Sequence, residues 1–156
     1  MNWDAIGAIG ETVGALAVVV SLIYVALQLR SQNKEARISA QQQIAEAFRS
    51  VISVGNDPRI ADLVVKAMDE TEKLTDSERF QLLSIHQSFL RVWEQAHYQY
   101  SEGRLEQSMW EGMLAAFSDL MSNDQVQHTW SIRKHTYRKE FAAFVDGIKL
   151  GNYEIK

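Results

Sequence analysis

The chain has 156 residues, which leaves room for one domain together with a membrane segment. It contains no Cys, which excludes disulfides, thiolate metal sites and Cys nucleophiles, and its net charge of −4 gives no sign of a nucleic-acid binder. The chain contains only one Pro and eight Gly, the residues that most strongly disfavour helices, so the composition predicts an all-α protein.

The first predicted element is a transmembrane helix. Val13 to Leu29 carries no charged side chain, and Ile6 to Leu29 would span about 36 Å as a helix, enough for a hydrocarbon core of about 30 Å. A cleaved signal peptide is the first alternative, but its leader should be basic, whereas MNWDAIGAIGE is acidic. A buried core helix is the second, and the apolar run is long for that. The sequence therefore predicts a transmembrane helix at 1–30 and a helical domain at 31–156.

A basic cluster follows this helix and predicts its orientation. Arg30, Lys34 and Arg37 lie directly after the apolar run, where we expect them to contact lipid headgroups. The excess of positive charge places the N-terminus outside and the C-terminal domain in the cytoplasm.

The segment AVVVSLIYVALQLRSQNKEARISA resembles the opening of a widespread group of uncharacterised bacterial membrane proteins. These begin with one apolar helix that ends in a pattern similar to LIYLALQIRQNT, followed by a helical domain. The matching residues here are Leu22, Ile23, Tyr24, Ala26, Leu27, Gln28 and Arg30. The resemblance covers about 25 residues, implies a bacterial inner membrane and brings no known activity or catalytic residue.

A stripe of small and polar residues runs along the first helix. Alternating steps of four and three place these positions on one face: Gly7, Glu11, Gly14, Val18, Ser21, Val25 and Gln28, continuing through Gln32, Glu35, Ser39, Gln42 and Glu46. Gly10 and Gly14 add a GxxxG spacing, which permits close approach of membrane helices. Polar side chains that face lipid are costly, so the sequence predicts self-association through Gly7, Gly10, Gly14 and Ser21.

The rest of the chain predicts a bundle of short-looped, antiparallel helices. We expect the first helix to continue to Val54, with Ile44, Phe48, Val51 and Ile52 at helical spacing. A second helix is expected to start at Pro58, capped by Asp57 or Asn56. A long helix is expected to start at the capping box Thr75–Glu78 and to end at Gly103. The last helix is expected to run from Asn123 to Gly151. We expect residues 56–151 to fold without the membrane helix, with Trp93, Trp110, Trp130, Phe141 and Phe144 as the main mass of the core.

Candidate chemistry is sparse. Glu94 and His97 match half of a di-iron bundle motif, but no second Glu-x-x-His is present. His128 and His135 are seven residues apart on a single predicted helix face and lack a third ligand. The sequence therefore predicts no enzyme, cofactor or metal. The basic run Arg133–Lys139 suits a solvated helix face, anionic headgroups or, least of all, nucleic acid.

Two functions fit these patterns. In the first, a membrane-anchored homo-oligomer carries a helical domain that binds a partner, not identified by the sequence, or senses a signal. In the second, the oligomer encloses a cation-conducting pore lined by Glu11, Gln28 and Gln32, with Glu11 as a ring of carboxylates at the outer mouth. Subunit number distinguishes them, because dimers and trimers have no room for a hydrated pore.

Overall fold

A computed structural model describes residues 3–69 and 73–152, and within the first helix the side chains of residues 4–6 and 8 are not described. All of the regular structure in these ranges is helical, as the composition predicted. The elements in chain order are α1 (Trp3–Val54), α2 (Pro58–Met68), α3 (Asp76–Ser101), α4 (Gln107–Met121), α5 (Asp124–Arg133), a 3-10 turn (Lys134–Thr136) and α6 (Lys139–Asp146).

The chain divides into two compact units, residues 1–39 and 40–156. The first unit consists of the N-terminal part of α1, which is helical throughout its described residues. The second unit contains the rest of α1 and all later elements. The predicted domain boundary after residue 30 marks the end of the apolar run. That the helix leaves the bilayer at this point stays a prediction.

Local sequence signals determine where most helices begin. The Asp57 side chain accepts a hydrogen bond from the Arg59 backbone N–H at 3.0 Å, and Pro58 occupies the first turn of α2, as predicted. Thr75 and Glu78 form the predicted capping box at the start of α3. Gly103 follows α3 with a φ of 66°, in the left-handed region where glycine carries no steric penalty.

The core of the second unit is aromatic. One buried cluster comprises Leu90, Trp93, Phe117, Met121, Val126, Trp130, Tyr137, Phe141 and Val145, and a second comprises Ile44, Ala96, Leu105 and Trp110. Phe144 packs against both clusters and Phe48 does the same from α1. The five aromatic residues expected in the core are thus confirmed, Phe144 as a partly buried member.

The predicted single helix from Asn123 to Gly151 is wrong. Asn123 caps the helix as expected, but α5 ends at Arg133, a 3-10 turn follows, and Tyr137 is extended before α6 begins. Side chains of α3 hold this break. Arg91 donates to the Thr136 carbonyl at 3.1 Å, and the Arg138 backbone N–H donates to the Glu94 carboxylate at 2.8 Å.

Candidate functional site

The first unit presents a long, mainly apolar surface. Among residues 3–69 and 73–152, one helix is long and apolar enough to cross a membrane, within Ile9–Val54, and its most apolar stretch has a mean hydropathy of 2.2. None of that stretch is buried inside the protein, and the large apolar side chains from Ile9 to Leu29 are exposed. A core helix of a soluble domain would instead be covered by its own chain, so this helix differs from a buried core helix.

The predicted interface glycines lie on the surface of α1. A Cβ atom added at Gly7, Gly10 or Gly14 would meet nothing within 4 Å, so no contact within this chain requires glycine there. The Ser21 hydroxyl donates to the Ala17 carbonyl at 2.8 Å, which satisfies its proton within the helix. A serine hydroxyl bonded in this way can face lipid, so Ser21 does not by itself indicate an interface, whereas the exposed glycines permit close helix packing.

The predicted pore-lining residues are all exposed. Glu11, Gln28 and Gln32 lie on α1, and none of their side chains has a hydrogen-bond partner among residues 3–69 and 73–152. They differ in this from Ser21. A single chain cannot bring several copies of one residue together, so lining of a pore stays a prediction.

The predicted headgroup contacts form a basic patch beyond the apolar run. Arg30, Lys34 and Arg37 are exposed on α1 and make no ion pair within the described part of the chain. The neighbouring Glu35 accepts a hydrogen bond from Ser31 at 3.2 Å instead. Their charges are therefore available to an external anion.

The Glu94-x-x-His97 pair has separate structural roles. Glu94 binds Arg91 at 2.8 Å and receives the Arg138 backbone N–H, so its carboxylate is fully engaged. The His97 ring lies among aromatic rings, 4.6 Å from Phe144 between centroids. Burial, together with the nearby Arg138 charge, lowers the pKa of His97 below its ordinary value.

The break after α5 also separates the two histidines of the last predicted helix. His128 lies on α5, whereas His135 lies in the 3-10 turn, so the inference that they share one α-helical face is wrong. Within the described residues no group of three His, Asp or Glu side chains could hold a metal ion.

Two cations of the basic run Arg133–Lys139 are engaged within the second unit. Lys134 forms an ion pair with Asp146, and the Arg138 guanidinium stacks over the Tyr98 ring at 4.2 Å. The hydrogen bonds of Asp146 with Lys134 and then Trp130 lower the pKa of its carboxyl. Lys134 and Arg138 thus have structural roles within the second unit.

A cleft of about 740 Å³ lies between α2, α3 and α5 in the second unit, and the sequence analysis did not identify it. Its lining includes the buried Leu82 and Thr129, the exposed Phe80 and Ile132, and His86. Residues from three separate helices meet here, so helical periodicity alone contains no signal for the cleft.

No family model, curated protein or solved structure matches this chain.

Proposed function

We propose that the protein is a membrane-anchored homo-oligomer whose first helix crosses a bilayer and whose domain at 31–156 acts as an interaction or sensing module. The observation that carries this proposal is the uncovered apolar surface from Ile9 to Leu29. The three glycines with open space at Cβ add a face on which a second copy could pack closely.

The proposed location is the bacterial inner membrane, with the N-terminus outside and the helical domain in the cytoplasm as an antiparallel bundle. The exposed Arg30, Lys34 and Arg37 support this orientation, because basic residues are retained on the cytoplasmic side. A C-terminal reporter that is active only outside the cytoplasm should stay silent in cells. A signal from that reporter would contradict the orientation.

Self-association is tested by Gly14→Ile. The added side chain fills the space over the glycine and keeps two helix backbones apart, so we expect a lower subunit number or a monomer. Ala26→Ile is the matched control, because it adds the same side chain to the same helix away from the stripe. Subunits are counted by single-molecule photobleaching in nanodiscs. An equal subunit number in wild type and Gly14→Ile would place the interface elsewhere.

A cation channel is the second candidate. It is favoured by Glu11, Gln28 and Gln32, whose polar groups lack partners within the described chain, unlike that of Ser21. A ring of Glu11 carboxylates would attract cations and repel anions. We expect cation-selective flux in proteoliposomes and altered selectivity in Glu11→Gln. No flux, or fewer than five subunits, would leave the anchored interaction module alone.

A further inference from the structure

The cleft between α2, α3 and α5 has the size of a small-molecule site. Its volume of about 740 Å³ lies within the roughly 300–1,000 Å³ typical of ligand pockets. The cleft belongs entirely to the second unit, so it is independent of self-association through the first helix.

The interior of the cleft offers little charge. The Thr129 hydroxyl lies 3.0 Å from the Gln125 carbonyl oxygen and 3.2 Å from His86 Nδ1, so when the hydroxyl donates to the carbonyl, the imidazole donates to the hydroxyl oxygen. Burial lowers the pKa of His86, which favours the neutral ring. Beside this satisfied polar pair lie the apolar side chains Leu82 and Leu83.

The rim combines cations with exposed apolar side chains. Lys73 and Arg79 are exposed and have no ion-pair partner within 3–69 and 73–152. Phe80, which is 69% exposed, and Ile132 lie on the same rim. Such large apolar side chains at the mouth of a cleft are suited to contact a ligand.

Two carboxylates, those of Asp69 and Asp124, also line the cleft, and unlike the two cations each is stabilised within the protein. Asp69 has an interaction of its own within the protein. Asp124 is the first residue of α5, where the partial positive charge of the helix N-terminus offsets its carboxylate. Among the described lining residues, the charges without local compensation are therefore those of Lys73 and Arg79.

We propose that this cleft binds an amphiphile with a single carboxylate head and an alkyl chain. The carboxylate pairs with Lys73 and Arg79 at the rim. The chain packs against Phe80, Leu83 and Ile132. This arrangement matches each part of the ligand to a group on the protein and leaves the hydrogen bond between His86 and Thr129 intact.

The test uses the full chain in nanodiscs and two photoreactive probes, a diazirine-bearing dodecanoic acid and the matched diazirine-bearing dodecylamine. Mass spectrometry locates the labelled residues. We expect the acid to label Phe80–Leu83 and Ile132, and excess octanoate to reduce this labelling without affecting label on residues 9–29. Label on residues 9–29 reports probe dissolved in the lipid, which provides an internal reference.

Paired variants test the recognition of the head. Combined Lys73→Gln and Arg79→Gln substitutions should reduce octanoate competition for the cleft by about fivefold, since two exposed ion pairs are lost. Lys139→Gln, a cation on α6 outside the cleft, should leave competition unchanged. Tryptophan fluorescence of the bundle checks that each variant is folded. Three results would each overturn the proposal. The acid could label only residues 9–29, the amine could label the cleft as strongly as the acid, or octanoate competition could be unchanged by the double substitution.

Discussion

Glu94 joins α3 to the start of α6 through one carboxylate. Its side chain is only 12% exposed, and its two oxygens accept from Arg91 and from the Arg138 backbone N–H, each at 2.8 Å. Arg138 precedes α6 and has no side-chain cap hydrogen bond of its own. A residue 44 positions earlier in the chain therefore accepts from the N-cap backbone N–H, the role that a glutamate at the third helical position plays in a capping box.

Glu94→Ala should lower the free energy of unfolding by about 1–2 kcal/mol, because the Arg138 N–H and the Arg91 guanidinium both lose their acceptor. Urea denaturation followed by tryptophan fluorescence measures the loss. Glu140→Ala removes a carboxylate from the first turn of α6 that makes no hydrogen bond or ion pair with the described residues, and it should change stability by under about 0.5 kcal/mol. Equal effects of the two substitutions would contradict the capping role.

His86 and His97 should make stability depend on pH in a defined window. Burial lowers both pKa values from 6.5, so the unfolded chain binds more protons than the folded one just below that value. Stability should therefore fall as the pH falls from about 7 to 5. Hydrogen bonds from Lys66 and Thr75 lower the pKa of Glu78 to about 2, so its stabilising contribution is lost only below its ordinary value of 4.5.

The measurement is the urea midpoint as a function of pH in wild type and in a variant carrying His86→Gln and His97→Phe. Glutamine can still donate to Thr129, and phenylalanine can pack among the aromatic neighbours of His97. We expect a shallower dependence between pH 7 and 5 in the variant. An identical slope would assign the dependence to other groups.

At the scale of the element, α1 contains two isoleucines at helical spacing with opposite environments. Ile44 is 1% exposed and belongs to a core cluster, whereas Ile52 is 59% exposed. Ile44→Ala should cost about 2–5 kcal/mol of unfolding free energy, because it leaves a cavity beside Trp110 and Ala96. Ile52→Ala, the same change eight residues later, should cost under about 0.5 kcal/mol in the same denaturation experiment. Similar losses would place Ile52 in the core as well.

Elements specified by neighbouring residues were predictable, and those specified by distant residues were not. The caps at Asp57 and Thr75 involve partners two and three residues away, so the sequence showed both. The segment after Arg133 is instead bonded to Arg91 and Glu94, which are 45 and 44 residues from their partners Thr136 and Arg138. The helical spacing of apolar residues placed Ile52 on the same stripe as Ile44. Periodicity identifies such a stripe but does not show which part of it other helices cover.

At the scale of the whole molecule, the core extends into the C-terminal part of α1. Ala40 and Ile44 are buried, and the Phe48 ring lies 4.8 Å from Trp93 in an edge-to-face contact. The expectation that residues 56–151 fold alone omits all three side chains. The sequence predicted the all-helical class and the apolar spacing of Ile44 to Ile52, and the tertiary contacts show that the core begins near residue 40.

Two truncations test this boundary. A chain of residues 40–156 should be predominantly helical by circular dichroism and should melt cooperatively, because it retains both core clusters. A chain of residues 56–156 lacks Ile44 and Phe48 and should melt at least about 10 °C lower or without cooperativity. Equal melting of the two chains would show that α1 is dispensable to the bundle.

The core has a consequence for the order of events during synthesis. The apolar segment ends at Leu29, whereas the principal core cluster is incomplete until Val145 has been made. At elongation rates of about 5–20 residues per second, these two moments are separated by roughly 6–23 s. For that interval the nascent chain exposes a completed apolar helix and an unfinished bundle. If the helix enters a bilayer, as proposed above, its early delivery would cover one of these two apolar surfaces while translation continues.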